Sequence, residues 1–309
     1  MSDRLQEVFE AGASFPSAEA RERYGRLVGI DAQRDRLLEI LAIMVNRQGL
    51  ETWASAHHPD APALVSTVTR RPPLVVLAGD VGCGKTELAE TVGDAVARRE
   101  KISITLLPLS LATRGQGRVG EMTQLLSTAF DHLIREAQKV TASSGRHRGA
   151  VILLVDEADA LAQSREASQM HHEDRAGVNA FIRGIDRVAN ERLPAAVLMC
   201  TNRLSSLDPA IRRRAAEVLR FDRPDEDTRF ELLSAVLAGT GLEENDLRAL
   251  AKATGARTGQ THGYTYSDIV QRLVPSLVLD AYPSGPITAK RAVAIASELV
   301  PTPTFDDRA

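Results

Sequence analysis

Aromatic residues make up only 4% of this 309-residue chain, there is one tryptophan, and cysteine occurs twice. Two cysteines, Cys83 and Cys200, cannot staple a small domain, so a disulfide scaffold is excluded and a reducing, cytoplasmic setting is expected. No apolar run reaches the roughly 20 residues that a membrane helix needs. The amino end, MSDRLQEVFEAG, also lacks the basic start and apolar segment of a secretory leader. An excess of positive charge is missing too: the formal net charge is -3 and the pI is near 6.2. General attraction to nucleic acid or to an anionic membrane is therefore not expected, and any such contact would need a local patch. What is there, 43% hydrophobic and 26% charged residues, is ordinary globular usage in a chain long enough to bury a core.

Against that plain background stands the stretch 74 to 86, LVVLAGDVGCGKT. An apolar run breaks into a glycine-rich turn that closes on lysine and threonine. It fits G-x-x-x-x-G-K-[ST], with a strand-like run before it and a helix-like run after it. Gly79, Gly82 and Gly84 let the backbone curl so that its N–H groups make a nest for phosphate oxygens at the positive end of the next helix. Asp80, Val81 and Cys83 complete the turn. Lys85 is placed to reach the β- and γ-phosphates of a nucleoside triphosphate, and the Thr86 hydroxyl to ligate Mg²⁺. Cys83 reads either as a reactive thiol, because a helix start lowers thiol pKa, or as a small residue that fits the loop.

A second motif follows at VILLVDEADA, residues 151 to 160. Its continuous apolar run marks a strand buried on both faces. It ends in Asp156 and Glu157, where ligands bind in an α/β sheet, at the carboxyl ends of strands. Asp156 suits a Mg²⁺ shell and Glu157 the general base that activates a water; helix-capping acids are the alternative. Another buried strand, AAVLMC, ends at Thr201 and Asn202. Asn202 there either hydrogen-bonds the γ-phosphate or attacking water, or simply forms a turn. In LDPAIRRR, Arg212, Arg213 and Arg214 form either a solvated face or a fork that completes a neighbouring subunit's phosphate site.

Around these motifs the chain divides by pattern. Residues 1 to 26 read as a polar arm with a helical turn or two, too short for a domain. Val28, Gly29 and Ile30 form an apolar kink before a helix capped by Asp31, either a wall for an adenine base or a packing turn. Residues 51 to 71 shift to Ala, His, Pro and Thr and read as a loop. The adjacent pairs His57, His58 and His171, His172 point apart and do not suit one metal ion. A βαβ-patterned region spans 27 to 223, a helical one 224 to 300 with Pro224 in the first turn of its first helix, and 301 to 309 is a tail.

Taken as an ordered set, GDVGCGKT, VILLVDEADA, VLMCTN and LDPAIRRR with a helical lid resemble an AAA+ ATPase over about residues 27 to 300. The resemblance implies a P-loop doubly wound α/β fold with a parallel five-stranded core and a small all-helical lid. It further implies ATP with Mg²⁺ bound between the subunits of a homohexameric ring. It makes Lys85 and Thr86 Walker A, Asp156 and Glu157 Walker B, and Asn202 the first sensor, with Arg213 and Arg214 as arginine fingers acting in trans. GYTYSDIV resembles the lid motif of protein-unfolding members, with Ser267 where other clades carry a sensor arginine and Arg272 one turn later. GRVGE lines up with the loop that grips polypeptide in the pore, which makes Arg118, Val119 and Gly120 the pore candidates, although Arg118 replaces the usual aromatic.

Within that family, RVGEMTQLLSTAF, VNAFIRGID and the direct run from Arg214 into AAEVLRF are similar to the pachytene-checkpoint group that remodels HORMA-domain proteins. The length leaves no room for the amino-terminal substrate domain of eukaryotic members. The resemblance is thus to the compact bacterial form associated with cyclic-nucleotide synthases in antiphage (CBASS) signalling. The expectation is an ATP-hydrolysing remodeller of a HORMA partner, with no membrane or nucleic-acid role. The alternative is a nucleic-acid AAA+ motor, motivated by Arg114, Arg118 and the Arg146, His147, Arg148 cluster. A nucleotide switch that barely hydrolyses is disfavoured by the presence of Glu157.

Overall fold

The protein is described from a computed structural model over residues 8–111, 121–141, 148–161, 172–257 and 259–304. The apolar runs become the strands of one sheet: β2 (Leu74–Gly79), β3 (Ser103–Ser110), β4 (Gly149–Asp156), β5 (Ala195–Thr201) and β6 (Ala215–Phe221). A further strand, β1 (Ala13–Phe15), lies at one edge, and the order across the sheet is β1-β3-β4-β5-β2-β6. β3, β4, β5 and β2 pair in parallel. Such a sheet must be covered on both faces, which is why β2, β4 and β5 are apolar and buried almost throughout rather than alternating, while β3 begins with the exposed Ser103 and half-buried Thr105.

Helices α1 (Ala18–Gly25), α2 (Asp31–Val45), α3 (Arg47–His57), α4 (Pro62–Thr69), α5 (Lys85–Glu100), α6 (Glu121–Val140), α7 (His172–Glu191) and α8 (Pro209–Arg212) accompany the sheet. In α6 the buried positions Leu126, Ala129, Phe130, Leu133, Ile134 and Ala137 recur at helical spacing and make one stripe. Phe130 meets Phe181 of α7 edge-on at a ring separation of 5.5 Å. Each large side chain so buried contributes about 1.5–3 kcal/mol.

Two expectations are corrected here. Residues 51 to 71 are not a loop: they fall largely in α3 and α4. Their buried side chains are Ala54 alone in α3 and none in α4, so there is no apolar stripe to read. End signals hold them instead, the Asn46 side chain accepting from the Gly49 amide at 3.0 Å and Pro62 opening α4. The amino-terminal arm is likewise more than a helical turn. β1 adds to the sheet antiparallel to β3, with Phe15 opposite Ile104, and the core sheet has six strands rather than five. Three residues are too few to show a period of two. Phe15 reaches the surface of Gly93, where a Cβ would lie 2.5 Å from the ring.

Contacts group the chain into two compact units, each described by itself. One comprises Met1–Gly25, Ala32–Ala78 and Thr86–Arg220; the other comprises Arg26–Asp31, Gly79–Lys85 and Phe221–Ala309. The second unit therefore joins the glycine loop and the apolar kink to the helical lid, a grouping that cuts across the linear division at residue 223. Its helices are α9 (Glu226–Val236), α10 (Glu244–Ala253), a π-turn (Asp268–Leu273) running into α11 (Val274–Ala281), and α12 (Ala289–Glu298). Leu233, Leu250, Tyr264, Ile269, Leu273 and Ala296 form its centre. Pro224 stands before the cap of α9 instead of in its first turn, because Asp225 takes the cap and accepts from the Thr228 amide at 2.8 Å. Asp31, expected as a cap, is the first residue of α2.

Candidate functional site

In the larger unit the parallel register lines up the strand tips. Ser110 of β3 stands opposite Asp156 of β4, and Ala78 of β2 opposite Thr201 of β5. A cavity of about 200 Å³ lies over the tips of β3 and β4, lined by Ser110, Asp156 and Glu157 among others. Asp156 accepts the Glu157 amide at 2.8 Å. Glu157 leaves the strand with φ at +52°, a left-handed conformation uncommon for a glutamate, and its side chain is exposed. Its Oε2 accepts from the Ser110 hydroxyl at 2.7 Å. A second cavity, near the opposite ends of β2 and β5, is walled by Ile40, Met44 and Pro194; Arg36 and Arg71 on its edge already pair with Glu217.

Asn202 does not stand alone at the tip of β5. Asp159, in the 3₁₀ turn after β4, accepts from the Thr201 hydroxyl at 2.5 Å and from the Asn202 side-chain amide at 3.0 Å. It also accepts the backbone N–H groups of Asn202 and Arg203 at 3.0 and 3.2 Å. One carboxylate thus satisfies four donors and fixes the rotamer of Asn202. Asp159 lies within VILLVDEADA but was not singled out from the sequence, where nothing shows what it binds.

In the smaller unit the glycine loop has the backbone its motif demands. Gly82 and Gly84 have φ of +74° and +89°. Gly79 passes so close to Phe221 that a Cβ would lie 2.0 Å from that carbonyl oxygen. Lys85 is 6% exposed, and its ammonium donates to the Gly79 and Asp80 carbonyls at 2.9 and 2.7 Å, so it spans the loop. Val81 donates its amide to Asp80. Cys83 is fully buried, and burial pushes its thiol up to about 11, which supports the small-residue reading over the reactive one.

The lid motif grips this loop directly. Ser267 donates its amide to the Gly82 carbonyl at 3.1 Å, and Thr265 and Ser267 stand where a Cβ on Gly82 would fall. Of the kink residues, Val28 packs on the lid core and Ile30 is 4% exposed, with its Cδ1 3.6 Å from the place of a Cβ on Gly84. Gly29 turns at φ +73° against Thr228 and Tyr266. The kink therefore adjoins the glycine loop. Tyr266, whose hydroxyl burial pushes up to about 12, belongs to this group and was not singled out from the sequence. Arg272 pairs with Asp268 at 2.8 Å.

The two finger candidates differ. Arg214 holds Asp186 of its own chain with two bonds of 2.8 and 3.0 Å. Arg213 is exposed, and no bond of its side chain is seen among the described residues. The pore candidates Arg118, Val119 and Gly120 lie outside the described residues, as do Arg114, Arg146 and His147.

The profile of the ATPase family associated with various cellular activities (AAA) matches residues 75–223. CD-NTase-associated protein 6 of Escherichia coli strain MS 115-1 is 61% identical over 304 residues, covering 98% of both chains. The chain belongs to the AAA ATPases. This AAA ATPase is also similar to a chain in the E. coli MS115-1 HORMA:CdnC:Trip13 complex, at 60% identity and a TM-score of 0.90 over 97% of this chain and 98% of that one. Rhizobiales Trip13 is 53% identical, with a TM-score of 0.74 over 96% and 99% of the two chains. The group within the AAA ATPases is thus the Trip13-like one. Among the described residues no helix is long and apolar enough to cross a membrane.

Proposed function

We propose that this AAA ATPase hydrolyses ATP to remodel a HORMA-domain partner, within signalling by a cyclic-nucleotide synthase. The observation that carries the chemistry is the line of strand-tip groups, Asp156, Glu157 and an Asn202 braced by Asp159. That set can orient a water and accept its proton, which is what phosphoryl transfer to water asks of a protein. The nest of residues 79–85 holds the phosphates, with Lys85 at its closing end and Val28, Gly29 and Ile30 beside the base. Glu157 takes the proton of the attacking water, and Asn202 orients that water or the γ-phosphate. Thr86 and Asp156 offer two oxygen donors, the set Mg²⁺ accepts when it keeps waters and shares the phosphates of its nucleotide. Bound there, Mg²⁺ would offset phosphate charge.

The choice of partner rests on the relative's presence in a complex with HORMA and CdnC. A homohexameric ring in which Arg213 serves the adjoining subunit belongs to the same reading, supported by the exposure of Arg213 and the engagement of Arg214 with Asp186. Arg118, Val119 and Gly120 are the segment we assign to the pore. The test is ATP turnover and HORMA conversion measured together. Glu157→Gln is expected to abolish both while ATP binding persists. Normal turnover in that variant removes Glu157 from the mechanism. HORMA conversion without hydrolysis, or stimulation by DNA in place of the HORMA protein, overturns the remodelling assignment.

A further inference from the structure

A loop built to bind a triphosphate here contains a carboxylate. Asp80 follows Gly79 directly, and its negative charge opposes the anion the nest is shaped for. Its Oδ1 accepts the Val81 amide at 3.0 Å. Its Oδ2 accepts from the Arg223 Nε at 2.6 Å, and both side chains are largely shielded, 15% and 12% exposed. The rest of the same guanidinium is spent on backbone. Nη1 donates to the Gly263 carbonyl and Nη2 to the Thr302 carbonyl, each at 2.8 Å. Thr302 in turn donates its amide and hydroxyl to Asp268, at 3.0 and 2.7 Å, and Asp268 accepts the Thr265 amide. Thr265 and Ser267 stand against Gly82, so the chain of contacts returns to the loop.

From this circuit we infer that Asp80 and Arg223 are a charge-compensating pair that positions the phosphate loop and sets nucleotide affinity. The inference rests on the reading that residues 79–85 hold the phosphates. Arg223 cancels a charge that would otherwise repel the nucleotide. In doing so it fastens the loop to the lid turn at Gly263 and to the carboxyl-terminal segment at Thr302. The sign of the effect separates this role from a purely structural one. Losing Arg223 exposes the phosphates to an uncompensated carboxylate. Losing the charge of Asp80 leaves a spare cation beside them, while an asparagine there keeps an acceptor for the Val81 amide. Two unit charges within about 10 Å in a partly shielded site alter affinity by about tenfold. Simple loss of a structural ion pair would weaken binding whichever partner is removed.

The experiment titrates a fluorescent ADP analogue into the full chain and into Arg223→Met, Asp80→Asn and the double variant, at low and high salt, with a thermal midpoint for each nucleotide-free protein. Expected are about tenfold weaker binding for Arg223→Met and tighter binding than wild type for Asp80→Asn. The double variant should return to within about threefold of wild type, and the spread should narrow as salt screens the charges. Equal weakening by both single variants, or unchanged affinity in Arg223→Met, overturns the inference while leaving the loop a nucleotide site. If Arg223→Met does not fold, the direction of the Asp80→Asn shift decides the matter alone. A wild-type protein that binds no analogue overturns the nucleotide reading and this inference with it.

Discussion

Arg213 and Arg214 are neighbours in sequence with different surroundings, and their substitutions should separate accordingly. Arg213→Ala is expected to lower steady-state ATP turnover by about 10³-fold or more, the range set by other arginine fingers. Arg214→Ala removes a pair with Asp186 in which both side chains are at least a third exposed, so it should cost less than about 1 kcal/mol in urea unfolding. Turnover intact in Arg213→Ala would return that residue to the solvated surface. Asp159 makes a subtler claim, because it touches Asn202 and Thr201 and reaches the chemistry only through them. In Asp159→Ala, Asn202 loses its brace, and a misplacement of about 1 Å costs on the order of 10²-fold in rate. Nucleotide affinity should stay near that of wild type. Single-turnover hydrolysis beside a binding titration tells the two quantities apart.

At the scale of elements, the lid motif works as a hub. Asp268 is 1% exposed, accepts from Arg272 of its own π-turn and ties that turn to Thr265 and Thr302. Burial alone would raise its carboxyl, but the hydrogen bonds from Thr265, Thr302 and Arg272 outweigh that and hold it below the ordinary carboxylate value. A depressed carboxylate adds stability above its unfolded pKa, about 3.9, and loses it as pH falls through the lower folded value. Asp268→Asn should therefore destabilise the protein by about 2 kcal/mol near pH 7, with the gap to wild type closing below about pH 4. Chemical unfolding at a series of pH values reads this directly, and a pH-independent gap would mean the charge is irrelevant. Helices α3 and α4 teach the opposite lesson about elements. They bury almost nothing, so hydrophobic period did not betray them, and only Asn46 and Pro62 mark their starts.

At the scale of the whole molecule, a finger in trans implies that no subunit is complete. On the proposed reading, Lys85→Ala should disable the nest but keep Arg213, and Arg213→Ala should disable the finger but keep the nest. Each should be inactive alone, and mixed assemblies should recover ATPase activity because some sites draw an intact half from each subunit. No recovery on mixing, with co-assembly verified, would place the finger's action within one chain.

The local sequence by itself determined the glycine loop, the buried strands and the acids at their tips. Phosphate nests and fully covered strands depend on nearest neighbours along the chain: Gly where φ is positive, apolar residues without alternation, and polar residues where the strand ends. Only the tertiary structure decided what those residues touch. It set Asp159 under Asn202, Arg223 against Asp80, Asp186 on Arg214, and the glycine loop within the lid's compact unit. Such pairings join residues 28 to 143 positions apart. A short-range pattern carries no record of them, because which charge meets which carboxylate is fixed only when the segments pack.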